Sequence, residues 1–418
     1  MTDETVVEEA FENLAGEPET KAEARNGLRH MASLTMTKVA DGLIDPKLVL
    51  SYLLNALGAP VFLVSALVPI REAGALLPQI LLATRLERMK ARRFMWVAGS
   101  VGQGVAAAAI ALAAVTLEGV AAGWAFVGAI ALLALSRAAA SVSYKDVLGK
   151  TVGKSRRGAV TGFAGSASAA LVFVYALLLV SGLVEGTVVL AIAIALAAVL
   201  WGMAAILFST LEEPPSDPNG ENKGLRMFGL LREDKTFARF VAARGFLTVT
   251  SLAPPYFVLL AGDNESGLGT LGALVIASSA ASFLSSYAWG RFSDKSSRLV
   301  LATAGLVAAA AMALAIMLHL VGLSATIWAI PAALFLLMIA YHGVRQGRST
   351  YLVDMSPEDS RAVYAATANT LIGGLLLVSG AFGGVLSFIG PVAALTGFAI
   401  LAVTGGLIAL GLEEAEAN

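Results

Sequence analysis

Apolar stretches of about 20 residues, the length that crosses a bilayer as a helix, recur from residue 48 to residue 412 with short polar breaks between them. That pattern points to an all-α polytopic membrane protein. Composition agrees, since only 14% of the residues are charged, 57% are hydrophobic, and the mean hydropathy is +0.77. A soluble domain carries roughly 25% charged residues. The chain has no cysteine, which removes disulfides, thiol nucleophiles and thiolate metal sites. Its first residues, MTDETVVEEAFENLAGEPE, are acidic and lack the apolar core of a secretory signal.

Read at the bilayer length, the runs give twelve expected spans: 48–67, 71–84, 94–115, 119–141, 158–181, 186–208, 237–260, 268–289, 299–320, 324–344, 362–386 and 391–412. Twenty Lys and Arg residues fall in the five connections on one side, including Arg85, Arg88, Arg92, Lys150, Arg156, Arg298, Arg345 and Arg348, and at most Arg71 falls on the other. Positive residues are retained on the cytoplasmic side. Both termini are therefore expected in the cytoplasm, in a plasma or inner membrane. The Pro-, Asp- and Asn-rich stretch at 209–236 reads as a linker. It divides the chain into six-span bundles at 47–208 and 237–412, with a tail at 413–418. Residues 1–46 read as a cytoplasmic tail. Leu28, Met31, Thr35 and Val39 share a face there, which suits an interfacial helix; a disordered tail suits the composition equally.

The halves repeat each other. Arg85 and Arg92 overlay Arg291 and Arg298 at an offset of 206 residues, and Tyr144 overlays Tyr351 at 207. Duplicated halves with a substrate site at their interface are a recurring plan of secondary transporters. The loop GRFSDKSSR and the paired loops GKSRRGAVTG and SPEDSRAVYA resemble the major facilitator superfamily. The resemblance covers residues 46 to 412. It implies a cytoplasmic latch at Gly290, Asp294, Lys295 and Arg298, in which Asp294 ties neighbouring helix ends in one transport state. In the first half Thr84 and Arg88 replace the glycine and the aspartate. The glycine–proline motif of proton antiporters is missing from the fifth span, which argues against a drug/proton antiporter.

Candidate site residues were sought among polar groups inside spans, where charge is rare and usually functional. The stretch VLGKTVGKS at 147–155 is not a phosphate loop, because its glycine spacing is one residue short and helices flank it. The histidines His30, His319 and His342 are scattered. Arg137 and Arg239 lie near span ends and are placed to snorkel. Arg244 lies about 10 Å into the seventh span and suits an anion or a carboxylate partner. Arg71 and Glu72 admit two placements: an outer loop, or a second helix that begins near Ala66, which gives that span a sufficient length and places Pro69 in its first turn. The embedded placement is favoured. It makes Glu72 the only acidic residue within a span and the coupling candidate, with Gln79 on the same face.

Uncharged polar groups collect on other spans. Tyr52 and Asn55 lie on the first, and Thr248, Thr250, Ser251 and Tyr256 on the seventh. Ser278, Ser282, Ser285 and Ser286 share one face of the eighth, which suits either a cavity lining or close helix packing. Tyr341 and His342 lie on the tenth, and Tyr364, Thr367, Asn369 and Thr370 on the eleventh. These readings converge on a monomeric, alternating-access secondary transporter of a small solute, with protons as the candidate coupling ion and no cofactor, metal, nucleic acid or catalytic group. A lipid scramblase and a non-transporting sensor of the same fold are the alternatives.

Overall fold

The computed structural model describes residues 3–216, 227–262, 267–293, 295–357 and 361–414. Its helices are α1 (Asp3–Ala15), α2 (Lys21–Leu43), α3 (Val49–Ala56), α4 (Val61–Leu76), α5 (Gln79–Glu87), α6 (Arg93–Thr116), α7 (Gly119–Thr151), α8 (Arg157–Val180) and α9 (Thr187–Ser209). After the linker come α10 (Met227–Glu233), α11 (Lys235–Leu247), α12 (Val249–Leu252), α13 (Pro254–Ala261), α14 (Leu268–Ser293), α15 (Ser297–Leu320), α16 (Ala329–Met355), α17 (Arg361–Ser387) and α18 (Pro391–Leu410). Among the described residues ten helical stretches are long and apolar enough to cross a membrane, with α4 and α5 counted as one. Their outward faces are lined by Leu, Val, Ile and Phe, as expected where the solvent is lipid.

The start of the first bundle departs from the sequence reading. Within the stretch read as a tail, α2 packs lengthwise against α8 and α9, and Ala40, Leu43 and Ile44 are part of the core. Several of its polar residues, which a hydropathy reading assigns to water, have partners inside the bundle. Asn26 exchanges two hydrogen bonds with the Glu212 backbone, at 3.1 and 3.0 Å. His30 is fully buried and bonds the Thr151 hydroxyl at 2.8 Å. The expected spans 48–67 and 71–84 are also displaced. The chain turns at Leu57–Pro60, and α4–α5 then runs from Val61 to Glu87. Arg71 and Glu72 thus lie ten residues inside a helix.

Besides the turn at Leu77–Pro78 between α4 and α5, two helical stretches are broken where side chains supply a local chemical cause. Between α2 and α3, Asp45-Pro46-Lys47 unwinds the chain. The Asp45 carboxylate accepts the Lys47 N–H at 2.8 Å, and the Ser51 hydroxyl donates to the Pro46 carbonyl at 2.7 Å. In the second half, the hydroxyls of Thr248, Thr250 and Ser251 donate back to the carbonyls of Gly245, Leu247 and Thr248, which bends a helix. Pro254 and Pro255, which have no N–H to give, then start α13.

Neighbour relations recur between the halves: α6 packs on α7 and α9 as α15 packs on α16 and α18, and α4 packs on α7 as α14 packs on α16. Across the halves, α4 meets α17 and α8 meets α14. These seams are made by small residues at close approach. A Cβ on Gly380 would stand 2.3 Å from Pro69, and one on Gly272 would stand 2.6 Å from Val180. Phe62 stacks on Phe388 at 5.8 Å beside the first of them. All these contacts lie toward the end of the bundle opposite the basic loops. At the basic end the first half is tied to itself: Glu213 accepts the N–H groups of Arg92 and Arg93 at the start of α6, where a helix dipole favours an anion.

Candidate functional site

Between the seams and the basic end lies a cavity lined by both halves. The first half supplies Glu72 and Leu76 from α4. The second half supplies Arg244 from α11, Thr248, Thr250 and Ser251 from the broken stretch, Tyr341, Arg345 and Arg348 from α16, and Ile372 and Leu376 from α17. The break at Asp45–Lys47 adjoins the cavity from the other side, since Lys47 Nζ stands 3.6 Å from Glu72 and 4.0 Å from the centre of the Tyr341 ring. Interrupted helices in corresponding positions of two halves bring free backbone groups and polar side chains to a binding site.

The charges of the first half form a closed network. Asp41 pairs with Arg71 at 3.3 Å and with Arg137. Glu72 pairs with Arg71 at 3.3 Å and with Lys47. Arg137 therefore meets a carboxylate instead of snorkelling, and Glu72 shares its surroundings with Asp41 and Asp45. Glu72 is thus one of three acids gathered around these cations, where the sequence reading expected it to be the only acid within a span.

A second polar path crosses the halves. Gln79 Oε1 accepts from Asn369 Nδ2 at 3.4 Å, and Asn369 Oδ1 accepts from Arg244 Nη2 at 3.0 Å. Arg244 is only 4% exposed and its Nε has no partner. Among the described residues no carboxylate stands within ion-pair distance of Arg244, Arg345 or Arg348.

Of the residues singled out in the sequence, Glu72, Arg244, Thr248, Ser251 and Tyr341 line the cavity. Arg71, Gln79 and Asn369 contact lining residues, and His342 lies edge-on to Tyr341 at 5.2 Å. Tyr52, Asn55, Tyr256, Ser278, Ser282, Ser285 and Thr367 are not among the lining residues. Tyr256 instead packs on Phe398, and the three serines lie on α14, which packs between α8 and α16. The side chain of Ser286 lies outside the described residues. Sequence reading missed Asp41, Asp45 and Lys47, and it assigned Arg345 and Arg348 to a loop. The Asp-Pro-Lys interruption of an apolar run and the 27-residue length of α16 are the signals that mark them.

The latch residue Asp294 lies outside the described residues. Gly290 ends in α14, Lys295 follows it, and Arg298 donates to the Leu412 carbonyl at 3.0 Å and pairs with Glu414 within its own half. Among the described residues no group of three His, Asp or Glu side chains is placed to hold a metal.

No protein-family model matches the chain, and no curated protein matches its sequence. Solved structures do match its fold. A POT family transporter in complex with a thioalcohol-conjugated peptide superposes with a TM-score of 0.71 at 10% identity, over 93% of this chain and 96% of that one. The nucleoside transporter NupG gives 0.69 at 12% identity, over 93% and 100%. A D-xylose–proton symporter gives 0.66 at 13%, over 94% and 98%. At these identities the likeness is one of architecture, and it holds over nearly the whole length of each chain: the protein has the fold of the major facilitator superfamily transporters.

Proposed function

We propose that the chain is a secondary active transporter that moves a small solute across a plasma or inner membrane by alternating access. The observation that carries this reading is a polar cavity between two halves, bordered by a helix break in each and closed on one side by the Pro69–Gly380 and Val180–Gly272 seams. In this reading α2–α3 and α11–α13 are the first and seventh of twelve spans, and the bundles run from about residue 21 to 209 and from 235 to 410. The distribution of Lys and Arg supports cytoplasmic termini, and in this reading the cavity opens inward. Rocking of the halves about the cavity would part the α4–α17 and α8–α14 seams and close the basic end.

Glu72 is the coupling group. It is the one acid that lines the cavity, and its two cationic partners lie on different elements, Lys47 beside the α2–α3 break and Arg71 on α4 itself. Protonation of Glu72 frees Lys47, which already reaches Tyr341 of the other half. A proton thus changes the contact between the halves. Likeness to a D-xylose–proton symporter supports protons as the coupling ion.

Proteoliposomes on a solid-supported membrane, challenged with a solute panel under an inward proton gradient, test the reading. Glu72→Gln is expected to abolish the proton-driven current and to leave solute counterflow. Equal currents with equal pH dependence in both proteins would take coupling away from Glu72. Lipid scrambling without flux of any solute would overturn the transporter reading itself.

A further inference from the structure

The charge on the two sides of the cavity differs. On the first-half side the cations Lys47, Arg71 and Arg137 stand among the carboxylates Asp41, Asp45 and Glu72, with every ion pair internal to that group. On the second-half side Arg244, Arg345 and Arg348 stand together with no carboxylate of their own among the described residues. Guanidinium groups stay charged under any working condition, so proton loss cannot relieve this excess. Uncompensated charge within a membrane bundle is costly and points to something that pairs with it.

The three arginines also differ in exposure. Arg345 is exposed, Arg348 half-buried and Arg244 buried. Tyr341, Arg345 and Arg348 recur at i, i+4 and i+7 on α16, and Arg244, Thr248 and Ser251 recur at the same spacing along α11 and α12. Two polar stripes therefore line the cavity. Arg244 is held in place by Asn369 through one Nη only, and its buried Nε remains unused. A guanidinium fixed on one edge with a free Nε–H offers a fork to a planar or tetrahedral oxyanion.

We propose that the solute is a small anion bearing a carboxylate or phosphate group, attracted into the cavity by Arg345 and Arg348 and bound at Arg244. The inference rests on the transporter reading for its direction of travel, though not for the binding site. Thr248, Thr250 and Ser251 already donate to backbone carbonyls, so their oxygens are left as acceptors that select for hydroxyl groups on the rest of the solute.

Detergent-purified protein is titrated with inorganic phosphate, glycerol 3-phosphate, succinate, D-xylose and choline, with calorimetry and thermal unfolding as readouts; ligand binding to the native state raises the midpoint. At least one of the three anions is expected to bind and to raise the midpoint, while D-xylose and choline do neither. Arg244→Gln and Arg348→Gln are each expected to weaken that binding about tenfold or more, with Arg348→Lys retaining more than Arg348→Gln. The unliganded midpoint of each variant separates lost binding from lost folding. Binding of dihexanoyl phosphatidylglycerol alone would keep the oxyanion site, assign it to a lipid headgroup and remove the solute transporter. Binding of a free anion without flux in liposomes would likewise remove the transporter and leave the site. Flux of D-xylose or choline that both glutamine variants preserve would keep the transporter and overturn the anion site. So would the failure of all three anions and the lipid to bind folded wild-type protein.

Discussion

The Asp41–Arg71–Glu72–Lys47 network and the Arg244–Arg345–Arg348 group face each other across one cavity, and both concentrate charge where lipid-exposed sequence would carry none. The first is paired internally, at separations of 3.3 to 3.6 Å from Asp41 to Arg71 to Glu72 to Lys47. The second is not paired at all among the described residues. Charges that satisfy one another fix the packing of α2, α4 and α7, and a proton can unsettle them. Charges left without partners bind something that is not part of the chain. The cations of the two groups therefore serve different ends, and the distribution of carboxylates decides which.

The largest way to break this contrast is Asp41→Asn. It leaves Arg71 and Arg137 on α4 and α7 with a neutral neighbour, and removal of one partner from a largely buried network costs about 3 kcal/mol or more. Unfolding followed by intrinsic fluorescence in detergent should show that loss as a lowered midpoint. Arg348→Gln should do the reverse on a smaller scale. Relief of repulsion among three arginines is expected to leave the unliganded midpoint unchanged or to raise it, by no more than about 1 kcal/mol. A fall as large as that of Asp41→Asn would show that the arginine group is structural after all.

The smallest expected effect sharpens the comparison with a third pairing, in the first turn of α2, which extends beyond the bilayer at the basic end against the loop before α8. Glu23 accepts from Arg156 Nε and Gly153 N–H at 2.7 Å each. Burial raises the Glu23 carboxyl, but the Arg156 guanidinium and the N–H groups of Gly153 and Glu19 lower it further, so its pKa lies below the ordinary 4.5. A depressed carboxylate stabilises the fold fully above its unfolded pKa and loses that contribution as pH falls through the folded value. Wild type and Glu23→Gln should therefore differ most in midpoint at pH 7 and converge only as the pH falls below the ordinary 4.5 and through the lower folded value. A constant difference across that range would mean that Glu23 acts by packing alone.

Much of the second half was legible in the sequence. The apolar runs of α15, α16 and α18 are continuous, and the hydroxyl set Thr248, Thr250 and Ser251 stands out in α11–α12 because polar residues there interrupt an apolar context. The first half was legible only from α6 onward. α2 has the composition of a soluble helix, and nothing local says that Glu212, Thr151, Arg71 and Arg137 will come to meet its Asn26, His30 and Asp41. Arg345 and Arg348 were misplaced for the complementary reason. An arginine near a helix end reads as a loop charge by the positive-inside rule, although α16 continues to Met355 and keeps both on the cavity.

By itself the sequence determined that this chain is an all-α membrane protein and which connections are basic. These properties are additive along the chain, since hydropathy, span length and loop charge are each summed over neighbouring residues. Only the tertiary structure decided where the first helix begins, which carboxylate pairs with which arginine, and which cations are left over. Those are pairwise properties of residues as far apart as Asp41 and Arg137 or Gln79 and Asn369, and pairing energy depends on a separation in space that no local pattern records.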